Sequence, residues 1–156
     1  MTLTLKYSLL NFAMGLLVGL LVWSTAIGDG YFIFPIGASI AAFVAGGLFW
    51  KIFNSNSKKL KTENIVLTGI LTGSISHYFC FILLSIGMNI CYLTTGKCVG
   101  SLGDPPTSVS GMLTGALAYS FFSLLFYGWL TIPASIVIGL FLKNRQAKIA
   151  AIQEQS

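Results

Sequence analysis

From Tyr7 to Phe53 the chain runs for 47 residues with only two charged side chains, Asp29 and Lys51. A helix needs roughly 20 apolar residues to cross the hydrocarbon core of a bilayer, so a stretch of this length predicts two crossings. Gly28-Asp29-Gly30 supplies the reversal, because glycine accepts the backbone angles of a tight turn. The first helix is expected at about 7–27 and the second at about 34–53. Pro35 then falls in a first helical turn, where its missing N–H costs little.

The rest of the chain divides by the same logic. Asn54 to Asn64 (NSNSKKLKTEN) is a polar, basic connector, and a third helix follows at about 65–93. Thr95 to Ser108 carries three glycines and the Pro105-Pro106 pair, which marks a loop. A fourth helix is expected at about 109–142, ahead of a polar tail over 143–156. The fold class is therefore all-α: one polytopic transmembrane domain, residues 1–156, with four antiparallel helices in a bundle. Composition agrees, since charged residues make up 8% of the chain and mean hydropathy is +0.84. A soluble domain carries about 25% charged residues, so a soluble enzyme, a nucleic-acid binder and a secreted disulfide scaffold are poor fits.

Charge sets the expected orientation. With the N-terminus inside, eight of the nine basic residues fall on the cytoplasmic side and only Lys97 lies outside, with Asp29 and Asp104. The positive-inside rule favours this N-in, C-in threading. A leader resembling a cleavable signal, Lys6 followed by an apolar run and Ser24-Thr25-Ala26, is disfavoured because Leu9–Ile27 exceeds a usual signal core. The expected setting is a plasma or bacterial cytoplasmic membrane.

Helices three and four are longer than a bilayer requires, about 44 and 51 Å against about 30 Å for the first two at the helical rise. Tilt absorbs part of the excess. Their outer ends are expected to project, capped by the Thr95–Ser108 loop, unless helix four breaks near Gly128 and Pro133 into a re-entrant turn.

Small residues recur at spacings of four: Gly15/Gly19, Gly69/Gly73 and Gly111/Gly115. Two of these pairs sit in similar phrases, GILTGSIS at Gly69–Ser76 and GMLTGALA at Gly111–Ala118. Lipid tails are as apolar as leucine, so membrane helices associate through the close approach that small residues permit. All three pairs are therefore expected at helix contacts. In helix three, a stripe of Gly73, His77, Cys80, Leu84, Gly87 and Cys91 should face the bundle. Trp50 beside Lys51 is expected as an interfacial anchor, with Tyr31, Phe32, Phe34 and Tyr92 as an aromatic belt at the other interface.

Ionisable residues inside membranes are rare and usually functional. His77, the single histidine, stands about 13 residues into helix three, and helix four carries Ser120, Ser123, Tyr127, Thr131 and Ser135 along one stripe. His77 is expected to bond across the bundle to Tyr127, or failing that to Thr131 or Ser39. Cys91 and Cys98, both on the outer side, are a candidate disulfide, since such bonds persist in oxidising compartments. No Cys/His set has metal-ligand spacing and no catalytic constellation is present, so no metal, cofactor or catalytic residue is assigned.

In size and span number the chain resembles small four-helix multidrug exporters. It lacks the first-helix carboxylate on which their proton coupling depends, and it lacks the glycine-and-arginine signature of small fluoride channels. No family's residues are carried over. The leading expectation is a non-catalytic scaffold, assembly factor or accessory subunit, whose partners are the lipid bilayer and a homo-oligomer or membrane complex, without nucleic acid. The alternative is an oligomeric small-solute or proton-linked transporter or channel built around His77, Tyr127, Thr131 and Ser39. A cavity reaching His77 from one face favours the second, and a filled bundle favours the first.

Overall fold

The computed structural model describes residues 2–27, 31–54, 60–98 and 106–153. The Gly28-Asp29-Gly30 reversal, Lys58 and Lys59 of the connector, and Asp104 and Pro105 of the capping loop lie outside the described residues.

Four helices, each long and apolar enough to cross a membrane, make up almost all of the described chain. They are α1 (Leu3–Thr25), α2 (Phe34–Asn54), α3 (Thr62–Thr95) and α4 (Val109–Gln153), with a short 3-10 turn, Tyr31–Ile33, leading into α2. Local chemistry explains the ends. The Thr2 hydroxyl accepts the Leu5 amide and caps α1, so this helix begins four residues before the expected Tyr7. Gly96, at φ +66, takes the left-handed position that closes α3.

For α4 one boundary needs correction, and the expected continuous helix holds against its re-entrant alternative. The segment from Lys143 onward is helical to Gln153 rather than an irregular tail, because Lys, Arg, Gln and Ala are all good helix formers and no glycine or proline interrupts them. The helix also runs without a break through Gly128 and Pro133, so there is no re-entrant turn. Long apolar helices tolerate an internal proline in this way.

Each helix packs on its neighbour in sequence, and the α1–α4 seam that closes the ring is the thinnest. The α1–α2 seam is tight because Gly15 and Gly19 lie on Ala38 and Pro35: a Cβ on Gly19 would meet the Pro35 Cα at 2.5 Å. Gly69 and Gly73 do the same for α3 and α4, against Ile136 and Ile132. Gly111 and Gly115 do not. A Cβ on either would meet only atoms within eight residues of it in sequence, Thr107 and Ser108 for Gly111 and Tyr119 for Gly115. The nearest atoms to both glycines belong to their own stretch of chain, although Ala116 beside them is buried at 1% exposed.

Helix length explains why. Phe34, at the start of α2, stacks edge-on against Phe81 of α3, and Phe81 in turn contacts Tyr119 of α4. Beyond that level α3 continues to Thr95 and α4 begins at Val109, so the two stand about 15–21 Å above the end of α2 by helical rise. The expected bundle-facing stripe on α3 therefore holds for Gly73, His77 and Cys80, which are buried, and fails at Gly87, which is exposed with open space around it.

At the opposite end, where the cations gather, Tyr7 and Trp50 stack with ring centroids 4.5 Å apart and pack with Leu142. Trp50 is 1% exposed, so it is a plug rather than the expected interfacial anchor. Alongside it, Asn54 donates to Thr68 (2.8 Å) and Asn64 donates to the Phe53 carbonyl (3.0 Å), tying the end of α2 to the start of α3.

Candidate functional site

The closeness of α3 and α4 at Gly69 and Gly73 brings His77 against the polar stripe of α4. Its Nδ1 lies 2.7 Å from the Ser123 hydroxyl and its Nε2 lies 3.0 Å from the Thr131 hydroxyl. Thr131 donates its one hydroxyl proton to the Gly73 carbonyl at 3.3 Å. Its oxygen therefore accepts from Nε2–H, and in the neutral ring Nδ1 accepts from Ser123. A protonated ring would donate from both nitrogens, and Ser123 would then have to turn from donor to acceptor.

Of the expected partners, named as Tyr127 or failing that Thr131 or Ser39, Thr131 is the one that bonds, and Ser123 is a further partner that was not named. Tyr127 lies between Ser123 and Thr131 and faces the same space, yet makes no hydrogen bond to His77. Ser39 is no wall of this space; its hydroxyl donates to the Pro35 carbonyl one turn back in α2. Of the expected set, the structure brings together His77, Tyr127 and Thr131, and leaves Ser39 apart.

Around His77 is a cavity of about 60 Å³. A water needs roughly 10–15 Å³ of such space and two or more polar partners, so a few waters fit. Polar atoms enter it from three helices: Asn11 of α1, Thr72 and Ser76 of α3, and Ser135 of α4. Asn11 and Ser135 close a second bridge, in which Ser135 donates to the Asn11 side-chain oxygen at 2.7 Å. Tyr7 donates to the Ser135 carbonyl at 3.2 Å. Asn11 was not foreseen, although Tyr7, Asn11, Gly15 and Gly19 recur every four residues along one face of α1, all of them buried.

Above this cavity, in the step left where α1 and α2 end, lies an open groove of about 850 Å³. Aromatic side chains are prominent in it, including Tyr31, Phe34, Phe81, Tyr119 and Phe126, with Thr25, Ser85, Asn89, Thr107 and Ser123 as its polar residues. Tyr31 and Phe34, expected as belt residues, thus face the groove. Val22, Phe34, Phe81, Ser123 and Tyr127 line both spaces, so groove and cavity are neighbours that share these walls. At the basic end Tyr7, Trp50 and Leu142 form the buried cluster, and none of the three lines the cavity.

Cys91 and Cys98 are joined by a disulfide at the far end of α3, with Cα atoms 6.0 Å apart, and Cys98 reaches the rim of the groove. Cys80 is a free, buried thiol in the cavity wall. Among the described residues no three His, Cys, Asp or Glu side chains cluster as metal ligands. Comparison with known proteins gives no match to a protein family, to a curated protein or to a solved structure.

Proposed function

We propose that the protein sits in a plasma or bacterial cytoplasmic membrane, N-in and C-in, and carries a small hydrogen-bonding solute that enters from the outer face and binds at His77. One observation carries this reading: the wide groove and the His77 cavity share walls, while the other end of the bundle is plugged. That is the shape of a binding site open to one side. Orientation draws support from two independent features. The cations Lys6, Lys51, Lys61, Lys143 and Arg145 lie at the plugged end, and the disulfide lies at the groove end, which suits an oxidising exterior.

Ligand hydrogen bonding would be coupled to His77 through Ser123, whose hydroxyl direction depends on whether Nδ1 carries a proton. The test is access of water-soluble reagent from outside. In a Cys80→Ser background, Ser123→Cys should react with a membrane-impermeant thiol reagent added externally, whereas Leu125→Cys, at a similar depth but facing outward from α4 and lining neither space, should not. Equal labelling of the two, or none at Ser123→Cys, would refute the reading.

A second reading, an accessory or assembly role, draws on the α3–α4 hairpin that stands above the other two helices with Leu93, Val109, Leu113 and Leu117 exposed. A stoichiometric subunit retained through purification in mild detergent, and crosslinked at those positions, would favour it.

A further inference from the structure

The thin α1–α4 seam opens at the basic end into a second groove, about 390 Å³ in volume, that takes no part in the His77 site. Its walls are apolar, with Leu9 and Leu10 of α1 and Phe141 of α4. At its rim stand two cations from different helices, Lys6 and Arg145, with the Gln146 amide beside them. The Arg145 guanidinium lies over the Phe141 ring, 5.2 Å from its centroid. Stacking of this kind fixes the plane of the guanidinium and leaves its N–H edge free to donate. Glu63, the one carboxylate among the described residues, belongs to the first turn of α3 and does not line this groove.

From this arrangement we infer a binding site for an anionic phospholipid, with its phosphate held by Lys6 and Arg145 and one acyl chain lying along Leu9, Leu10 and Phe141. Two features select the occupant. The paired cations call for a phosphate, and guanidinium is well matched to its oxygens. Apolar side chains flank those cations on both sides along the same two helices, Leu3 and Ile149 about one turn outward and Leu9, Leu10 and Phe141 about one turn toward the bundle centre. The inner set supplies the order of headgroup and chain in a leaflet. A soluble phosphate would leave that wall unused. Basic pockets between spanning helices on the cytoplasmic side are suited to such headgroups. The site requires that the chain span a bilayer, and it stands whether or not His77 binds a solute.

The experiment is a lipid titration of the purified full chain in neutral detergent, followed by native mass spectrometry. Its arms are phosphatidylglycerol, phosphatidylcholine with the same chains, and inorganic phosphate. Phosphatidylglycerol should bind selectively. Lys6→Gln or Arg145→Gln should weaken it about fivefold, and the pair about 30-fold, as expected when each cation near a membrane surface contributes independently. Lys61→Gln, a cation of the same end outside the groove, should leave binding unchanged, and Arg145→Lys, which keeps the charge but not the stacked fork, should recover it only in part. Equal binding of phosphatidylcholine to the wild-type chain would overturn the inference without recourse to any variant. So would a loss in Lys61→Gln as large as in Arg145→Gln, or displacement of the lipid by inorganic phosphate at matching concentration.

Discussion

Three Gly-x-x-x-Gly pairs look alike in the sequence, and only two of them meet a neighbouring helix, so alanine substitution should separate them. A Cβ on Gly73 would lie 2.7 Å from the Ile132 Cα and 2.9 Å from its backbone nitrogen. Carbon atoms rest at about 3.5–4.0 Å, so α3 and α4 would have to part by about 0.8 Å. The obstacle is backbone, which cannot rotate away. Parting the helices would also stretch the Thr131 bond to the Gly73 carbonyl, already 3.3 Å long, beyond hydrogen-bond range. Overpacking costs about 1–3 kcal/mol, and a lost interhelical bond adds about 0.6 kcal/mol.

Set against this, alanine is a better helix former than glycine by about 0.8–1.0 kcal/mol. The net for Gly73→Ala is a loss of about 0.6–2.8 kcal/mol, and for Gly69→Ala, which carries no such bond, about 0–2 kcal/mol. A chain of this size changes its midpoint by about 2–4 °C per kcal/mol, so thermal unfolding of Gly73→Ala in detergent should show a fall of roughly 1–11 °C. Gly115→Ala meets only Tyr119, at 3.9 Å, and Gly87→Ala meets nothing within 4 Å, so both should be neutral or slightly raise the midpoint. Equal shifts for Gly73→Ala and Gly115→Ala would mean that the α3–α4 contact is not where the structure has it.

Three further outcomes are expected. Thr131→Val removes both the His77 and the Gly73 bonds at nearly constant volume, and should lower stability by about 1 kcal/mol while weakening solute protection of a Ser123→Cys label. Trp50→Ala empties the plug and should cost about 3–5 kcal/mol; in proteoliposomes of protein that survives purification it should also admit solute from the basic end, and a tight bundle would argue against the plug. Alkylation of the denatured, unreduced protein should modify one thiol, Cys80, and reduction should raise that to three; three modified without reductant would rule out the Cys91–Cys98 bond.

What the sequence made legible follows from what hydropathy measures. Charge-free runs of known length count helices, and their number and order came through. Helix ends were less visible, because polarity was taken for irregular structure. Lys143 to Gln153 is polar yet helical, and Leu3 to Lys6 is ordered by a Thr2 cap that no hydropathy window weighs. The excess length of α3 and α4 was also visible in advance. Its consequence, a step above α1 and α2 that forms a groove, depends on which residues stand level with which.

Axial level is the quantity that periodicity does not carry, and the His77 site shows where it matters. Counting residues upward from the basic ends reached the Tyr127–Thr131 region, the right stretch of α4, because both helices rise at the same rate from a common plane. The partner named first, Tyr127, was wrong and its fallback, Thr131, was right, for a reason of size. Gly69 and Gly73 hold α3 and α4 so close that a phenol directly opposite an imidazole has no space to meet it end-on, whereas short hydroxyls one turn above and one turn below fit at 2.7 and 3.0 Å. Ser39 failed for another reason: a serine inside a helix can satisfy itself on the carbonyl four residues back, and this one does. Asn11 shows the converse, since its buried amide spans to Ser135 of another helix and so stands among the polar groups of the cavity. The groups most able to meet a ligand here are those whose own helix does not fully occupy them. That test needs backbone positions as well as residue types, and it selects His77, Ser123, Thr131, Asn11 and Ser135.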